Sequence, residues 1–237
     1  MENHELLSDK LTFEEARALQ DKYSQKLKNQ KSRLDLKSLK KLKWIAGVDI
    51  SYFSKENHEY GVSCAVSWDL IENKKKSHAF HVDKIRFPYK AGFLGFRECR
   101  LLAHAITKLN EKPDVILCDG HGLIHPRRFG EAVQLGVALD IPTIGIAKNP
   151  FIGYFNFKDL TRSKGEKTPV WSSSSSKERE LLGYAVCLNF GMKPIFISIG
   201  FKINIDLALK IALKTSLNHR QPEPLYLAHR LSKERIK

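Results

Sequence analysis

The segment from Pro113 to Lys148 does most to narrow the folds open to this chain. "PDVILCD" is a short apolar run, "FGEAVQLGVALD" a stretch of helical period, and "IPTIGIAK" a second apolar run. Two strands separated by one helix form a parallel crossover, since parallel neighbours cannot be joined by a tight turn. Parallel strands are buried on both faces, so helices must cover the sheet from either side and the fold class is α/β. At 237 residues the chain is long enough for one such domain with a substantial core.

Upstream, "KWIAGVDISYF", "EYGVSCAVSWDL" and "KSHAFHVDKIRF" are strand-like runs joined by short polar links, which predicts a three-stranded antiparallel meander. A helix is expected over "GFRECRLLAHAITKLN", where Phe96, Leu101, Leu102, Ala105, Ile106 and Leu109 recur near the helical period. Downstream, "RELLGYAVCLNF" and "KPIFISIGF" read as a hairpin turning at Gly191 to Lys193, and "NIDLALKIALKTSL" as a helix. The intervening "TRSKGEKTPVWSSSSSKE" reads as a flexible polar surface loop. At the N-terminus, Thr12 and Glu15 form a capping-box pattern opening a helix to about Lys31, with Leu11, Ala16, Leu19 and Tyr23 near one face. Residues 1–42 are thus a basic helical extension packed on a single domain.

The formal charge of +14 favours a polyanionic partner, nucleic acid or an anionic membrane surface, without choosing between them. Nine of the cations lie between Lys22 and Lys43 with one Asp among them, either as a solvated helix face and linker or as a phosphate-contacting tract. No apolar run approaches the roughly 20 residues of a membrane span, and the polar, acidic "MENHELLSDK" is no signal peptide. The expectation is a soluble cytoplasmic protein with no membrane partner. Cys64, Cys99, Cys118 and Cys187 form no C-x-x-C pair and read as reduced, buried thiols rather than as a zinc site.

Chemistry concentrates in "LCDGHGLIHPRRFGEA". Ligand sites in open α/β sheets gather past the carboxyl ends of strands, which is where Asp119 stands, with glycines giving the backbone room to turn. His121 and His125 have i, i+4 spacing, but Gly122 and Pro126 oppose the helix that a zinc pair needs, so that reading is set aside. The plainer reading is a polar loop capping the next helix, with Arg127 and Arg128 in solvent. Asp49 interrupts an apolar strand, where an ionised carboxylate is costly unless a cation or hydrogen bonds compensate. Glu98 enters the helix after "PYKAGFLGF". Singly, each acid is as well explained as an ion-pair partner. Together they can converge on a hard cation preferring oxygen ligands, which suits Mg²⁺.

The stretches "AGVDISY", "FPYKAGFLGFRE", "PDVILCDGHGLIHPRRFGEA" with "IPTIGIAKN", and "QPEPLYLAHRLS" occur in register over about Lys43 to Lys237. In that order they resemble endonuclease V, a family of nucleases that cut nucleic acid near deaminated adenine. The resemblance implies an RNase H-like fold, with a central mixed β-sheet of meander and parallel strands flanked by helices. It implies Asp49, Glu98 and Asp119 as metal-binding acids, His229 completing the centre, and Lys148 approaching the reacting phosphate. Mg²⁺ would be the cofactor, with Mn²⁺ able to substitute. Tyr89, after Pro88 in "PYKAG", matches the family's wedge loop, and the base pocket would be formed around Gly92, Leu94, Gly120, Gly122 and His125. The chain departs from common family residues at Ala91, Gln134 and Phe201.

The activity so implied is hydrolysis of the second phosphodiester bond 3′ to inosine, leaving a 3′-hydroxyl and a 5′-phosphate, in DNA repair, by a monomer. Inosine-specific cleavage of RNA is the alternative. A different RNase H-like nuclease such as a junction resolvase would have clustered acids but no use for the "PYKAGFL" loop. A purely binding protein would be expected to lack one or more of the acids, since uncompensated carboxylates facing phosphate oppose binding.

Overall fold

The computed structural model describes residues 4–28 and 34–236. Three antiparallel strands, β1 (Trp44–Lys55), β2 (His58–Asp69) and β3 (Lys74–Lys84), form the expected meander. Helix α2 (Leu94–Ile106) follows, then β4 (Val115–Cys118), α3 (Glu131–Leu139) and β5 (Thr143–Ala147) as the parallel crossover. The chain continues through β6 (Lys167–Trp171), β7 (Leu181–Val186) and β8 (Ile195–Phe201), and closes with α4 (Ile205–Lys214) and α5 (Glu223–Glu234). All eight strands join one mixed sheet in the order β3-β2-β1-β4-β5-β8-β7-β6. Pairing is parallel between β1 and β4 and between β4 and β5, and antiparallel elsewhere.

Side chains alternate across the pleat, so each central strand feeds two cores. Ile45, Val115 and Leu117 point to one face, where they pack with Leu207, Ile211 and Leu225 of the two C-terminal helices. Ala46, Val48, Ile116 and Cys118 point to the other, against Leu101, Leu102 and Leu135 of α2 and α3. This double cover explains the near-continuous apolar character of the strands. Asp49 has the same parity as Ile45, and Asp119 the same as Leu117. Both acids therefore belong to the face covered by α5, which packs across β1 and β2.

The N-terminal helix α1 (Phe13–Leu27) begins with the expected capping box. Glu15 N donates to Thr12 Oγ1 at 3.2 Å, and Thr12 N to Glu15 Oε2 at 2.8 Å. The predicted extension toward Lys31 reaches residues outside those described. Two further differences have clear causes. Strand β6 lies inside the segment read as a flexible loop: Thr168 and Val170 are buried in alternation, and Pro169, which lacks an N–H, is tolerated on an edge strand. Arg127 and Arg128 are half-buried rather than solvated, because Arg127 Nε donates to Gln20 Oε1 at 2.6 Å and Arg128 Nε to Glu180 Oε2 at 2.8 Å. The four cysteines are free and buried. Among the described residues no helix is long and apolar enough to cross a membrane.

Candidate active site

The parallel pairing of β1 with β4 ends at Val48 opposite Cys118, and Asp119 N continues it with a bond to Val48 O at 3.4 Å. Asp49 and Asp119 therefore emerge side by side. Helix α5 lays His229 over them, with His229 Nδ1 2.6 Å from Asp49 Oδ2. The other Asp49 oxygen accepts from Ile50 N at 2.8 Å. Lys148, one residue past β5, donates from Nζ to Asp119 Oδ2 at 3.1 Å. Asp49, Asp119 and His229 each offer a ligand atom, all within 4.8 Å of one another. Burial is the main reason that the Asp49 carboxyl titrates above the usual range, and the neighbouring Asp119 charge pushes the same way against the bond from His229. Two carboxylates with one imidazole, crowded and partly desolvated, form a set that a divalent cation would relieve.

Glu98 sits in the second turn of α2, outside that converging group. Its Oε1 accepts from the Tyr52 hydroxyl, and it faces Glu131, the first residue of α3. Burial foremost, aided by Asp49 and Asp119, pushes the Glu98 carboxyl up to about 7 despite bonds from Tyr52 and Glu131. Burial and then Glu98 drive the Glu131 carboxyl well above the usual carboxylate range. Glu131 Oε2 has no hydrogen-bond partner. Gly120 is what lets it lie there, since a Cβ at that position would stand 2.1 Å from Glu131 Oε2. Sequence reading singled out Glu98 and passed over Glu131 and Tyr52.

Beside the acids lies a cavity of about 160 Å³ whose walls include Tyr89, Gly92, Leu94, His121, His125 and Phe151. Of the residues expected around a base pocket, Tyr89, Gly92, Leu94 and His125 line it. Pro88 is exposed on the same loop. Gly120 and Gly122 are not in the wall. Gly122 is spent on structure, its N donating to Ser198 Oγ at 2.9 Å and its O accepting from Gly130 N at 3.2 Å. The loop carrying Tyr89 turns at Gly92 with φ of 85°, and the Gly92 carbonyl is gripped by His125 Nε2 at 3.1 Å and Gln20 Nε2 at 2.8 Å. His125 Nδ1 faces the backbone N–H groups of Arg127 at 3.2 Å and Phe129 at 3.4 Å. These donors fix His125 as the neutral Nε2–H tautomer. Burial holds its pKa down to about 4. His121 Nε2 donates to a different carbonyl, Asn149 O at 2.9 Å, so the two imidazoles do not act as a metal pair. Gln20 was missed in the sequence, where a Gln on an amphipathic helix carries no signal.

A mixed sheet with acids at the ends of its central parallel strands, and a helix closing over them, defines an RNase H-like fold. The sequence profile of the endonuclease V family matches residues 25–230, and the chain belongs to that family of nucleases. It is similar to the endonuclease V of Dictyoglomus thermophilum, with 34% identity covering 95% of this chain and 92% of the relative. Among solved structures, Streptomyces avermitilis endonuclease V superposes with a TM-score of 0.82 at 32% identity, covering 95% of this chain and 93% of its own. Ciona intestinalis endonuclease V, solved in complex with a 24mer DNA containing an inosine followed by a ribo-adenosine, superposes with a TM-score of 0.82 at 32% identity and coverages of 94% and 97%.

Proposed function

We propose that the protein recognises inosine in nucleic acid and hydrolyses the second phosphodiester bond on its 3′ side, leaving a 3′-hydroxyl and a 5′-phosphate. The observation that carries this reading is the adjacency of two features: the convergent Asp49, Asp119, His229 and Lys148, and a small cavity with the exposed Tyr89 in its wall. The inosine-containing DNA in the Ciona relative supports the substrate class. Asp49, Asp119 and His229 would hold a divalent cation, Mg²⁺ or Mn²⁺, with Glu98 behind them. Bound there, it supplies Lewis-acid polarisation of the phosphate and a water of lowered pKa.

The chain's own groups do the rest. Lys148 Nζ, beside Asp119, meets the charge of the phosphate undergoing attack. His229 Nδ1 and Ile50 N hold the Asp49 carboxylate in one orientation. The cavity excludes water from a flipped base, and Tyr89 covers the gap the base leaves, offsetting part of the unstacking cost. His125 and Gln20 fix the loop carrying Tyr89 through the Gly92 carbonyl.

The test is cleavage of matched DNA and RNA strands, each with one inosine, with and without Mg²⁺, by wild type, Asp49→Asn and Asp119→Asn. Wild type is expected to cut only inosine strands and only with Mg²⁺, and each substitution to abolish cutting while the cooperative melting transition of the fold is retained. Adenosine strands cut as fast as inosine strands would overturn the reading. The DNA and RNA arms decide between repair of DNA and processing of RNA.

A further inference from the structure

Lys148 also lines a second cavity, of about 400 Å³, that shares no lining residue with the Tyr89 pocket. Lys148, Arg162, Lys193 and Arg220 line it together with Phe157 and Phe196, and no acid stands among its described lining residues. We propose that this cavity binds the nucleotide that follows the scissile bond, holding the newly formed 5′-phosphate end of the product strand. The proposal rests on the function proposed above and names a second subsite for it.

Arg220 shows that the cavity is a built feature. Its Nη2 donates to Lys148 O at 2.6 Å and Pro194 O at 2.7 Å, and its Nε to Lys193 O at 3.2 Å. Three neutral carbonyls thus immobilise the guanidinium, and none of the ion pairs of the described residues involves Arg220, Arg162 or Lys193. A guanidinium held in place without a carboxylate keeps its charge for an incoming anion. The one ion pair among these four cations is Lys148 with Asp119, which ties the cavity to the acidic centre.

Phe157 supplies the second element of nucleotide chemistry. Its ring meets Phe155 and Phe196 edge-on, at centroid distances of 4.6 and 6.2 Å, and remains 50% exposed. A ring buttressed by two aromatic neighbours and half open to solvent can serve as a stacking platform for a base of any sequence. One continuous segment connects the two cavities: Phe151 lines the first, and Lys148, Asn149, Pro150 and Phe157 the second. A strand seated with its inosine in the first cavity and its scissile phosphate at Lys148 therefore runs onto Arg220 and Phe157. Hydrolysis places the 5′-phosphate on that downstream piece, at the cationic end of this cavity.

The experiment measures binding of a short inosine-free strand, with either a 5′-phosphate or a 5′-hydroxyl, to the full chain in Mg²⁺ by fluorescence anisotropy. Wild type should bind the phosphorylated strand about tenfold more tightly. Arg162→Ala/Lys193→Ala should erase that preference, and Phe157→Ala should weaken both strands about tenfold, with Phe157→Leu matching it because an aliphatic side chain has no stacking face. Melting curves keep loss of fold apart from loss of binding. Equal wild-type affinity for the two strands, or a preference surviving the double substitution, would overturn the proposal. Failure of the inosine reading is separately visible, as a wild type that does not cut inosine strands at all.

Discussion

Tyr89 is 73% exposed and so is no part of the aromatic core formed by its neighbours Phe87 and Phe93. Leaving so large a ring in water makes sense when something else covers it. If that is the stack beside a flipped base, Tyr89→Ala should lose about 1–3 kcal/mol of substrate binding, more on a duplex than on a single strand, because only the duplex must be unstacked. Tyr89→Phe should be nearly silent, and neither change should move the melting temperature. Equal loss on duplex and single-stranded inosine substrates would sink the wedge assignment. His125 allows a second check at this scale. Its Nδ1 is a hydrogen-bond acceptor and burial holds its pKa to about 4, so nitrogen NMR should show the Nε2–H tautomer persisting from pH 8 to below pH 5. Titration near the ordinary value of about 6.5 would show that the ring is not seated against Gly92.

The parallel crossover and the meander were readable because alternation, helical period and turn residues all act locally. The same locality explains what was hidden. β6 is a five-residue strand interrupted by Pro169 within a polar run, so its buried Thr168 and Val170 do not stand out. Asp49 was conspicuous as an acid among apolar neighbours, whereas Glu131 occupies the ordinary place for an acid, the first turn of a helix, and so carries no signal of its own. His229 pairs with Asp49 across 180 residues, a contact only packing creates; family resemblance alone pointed to it. Helix α1 packs through the apolar face expected of it, and adds a polar contact that periodicity does not show: Gln20, buried at 1%, bonds Gly92 O, Phe129 O and Arg127 Nε from inside the pocket wall. Gln20→Ala takes this partner from Phe129 O and Arg127 Nε and leaves Gly92 O to His125 alone, at about 1–3 kcal/mol for a buried polar group left unsatisfied. It should lower kcat/KM on inosine substrates about tenfold without altering the salt dependence of binding. Replacing Lys37, Lys40 and Lys41 by Ala should do the opposite, weakening all strands alike and flattening the salt slope if these residues meet phosphates. A tenfold loss of inosine preference in the lysine variant would show that the two roles of the N-terminal region are not separable.

At the scale of the whole molecule, the acidic centre sets how stability depends on pH. Burial raises the carboxyls of Asp49 and Glu131 and takes Glu98 up to about 7. A carboxyl with a raised folded pKa binds more protons folded than unfolded, so each one makes the free energy of unfolding fall as pH climbs from the unfolded value of about 4 through the folded one. The buried histidines act in the reverse sense: His125, with its pKa lowered to about 4, takes up a proton only on unfolding below about 6.5, so its contribution to stability grows as pH rises to that point. The two effects oppose each other between about pH 4 and 6.5. Above that window the histidine contribution is complete, and only the carboxyls still titrate. The metal-stripped protein should therefore melt at lower temperature at pH 8 than at pH 6.5, by at least a few degrees, since about 1 kcal/mol moves a chain of this size by roughly 2–4 °C. Glu98→Gln removes the group titrating near 7 and should flatten that slope. Millimolar Mg²⁺ should raise the melting temperature at pH 8 more than at pH 6.5, because a cation binding the ionised acids stabilises the folded state that they otherwise oppose. A melting temperature for the chelated wild type that is flat or rising between pH 6.5 and 8 would mean that Glu98 and Glu131 do not hold the excess proton assigned to them, and that the acidic centre is more open to water than its packing indicates.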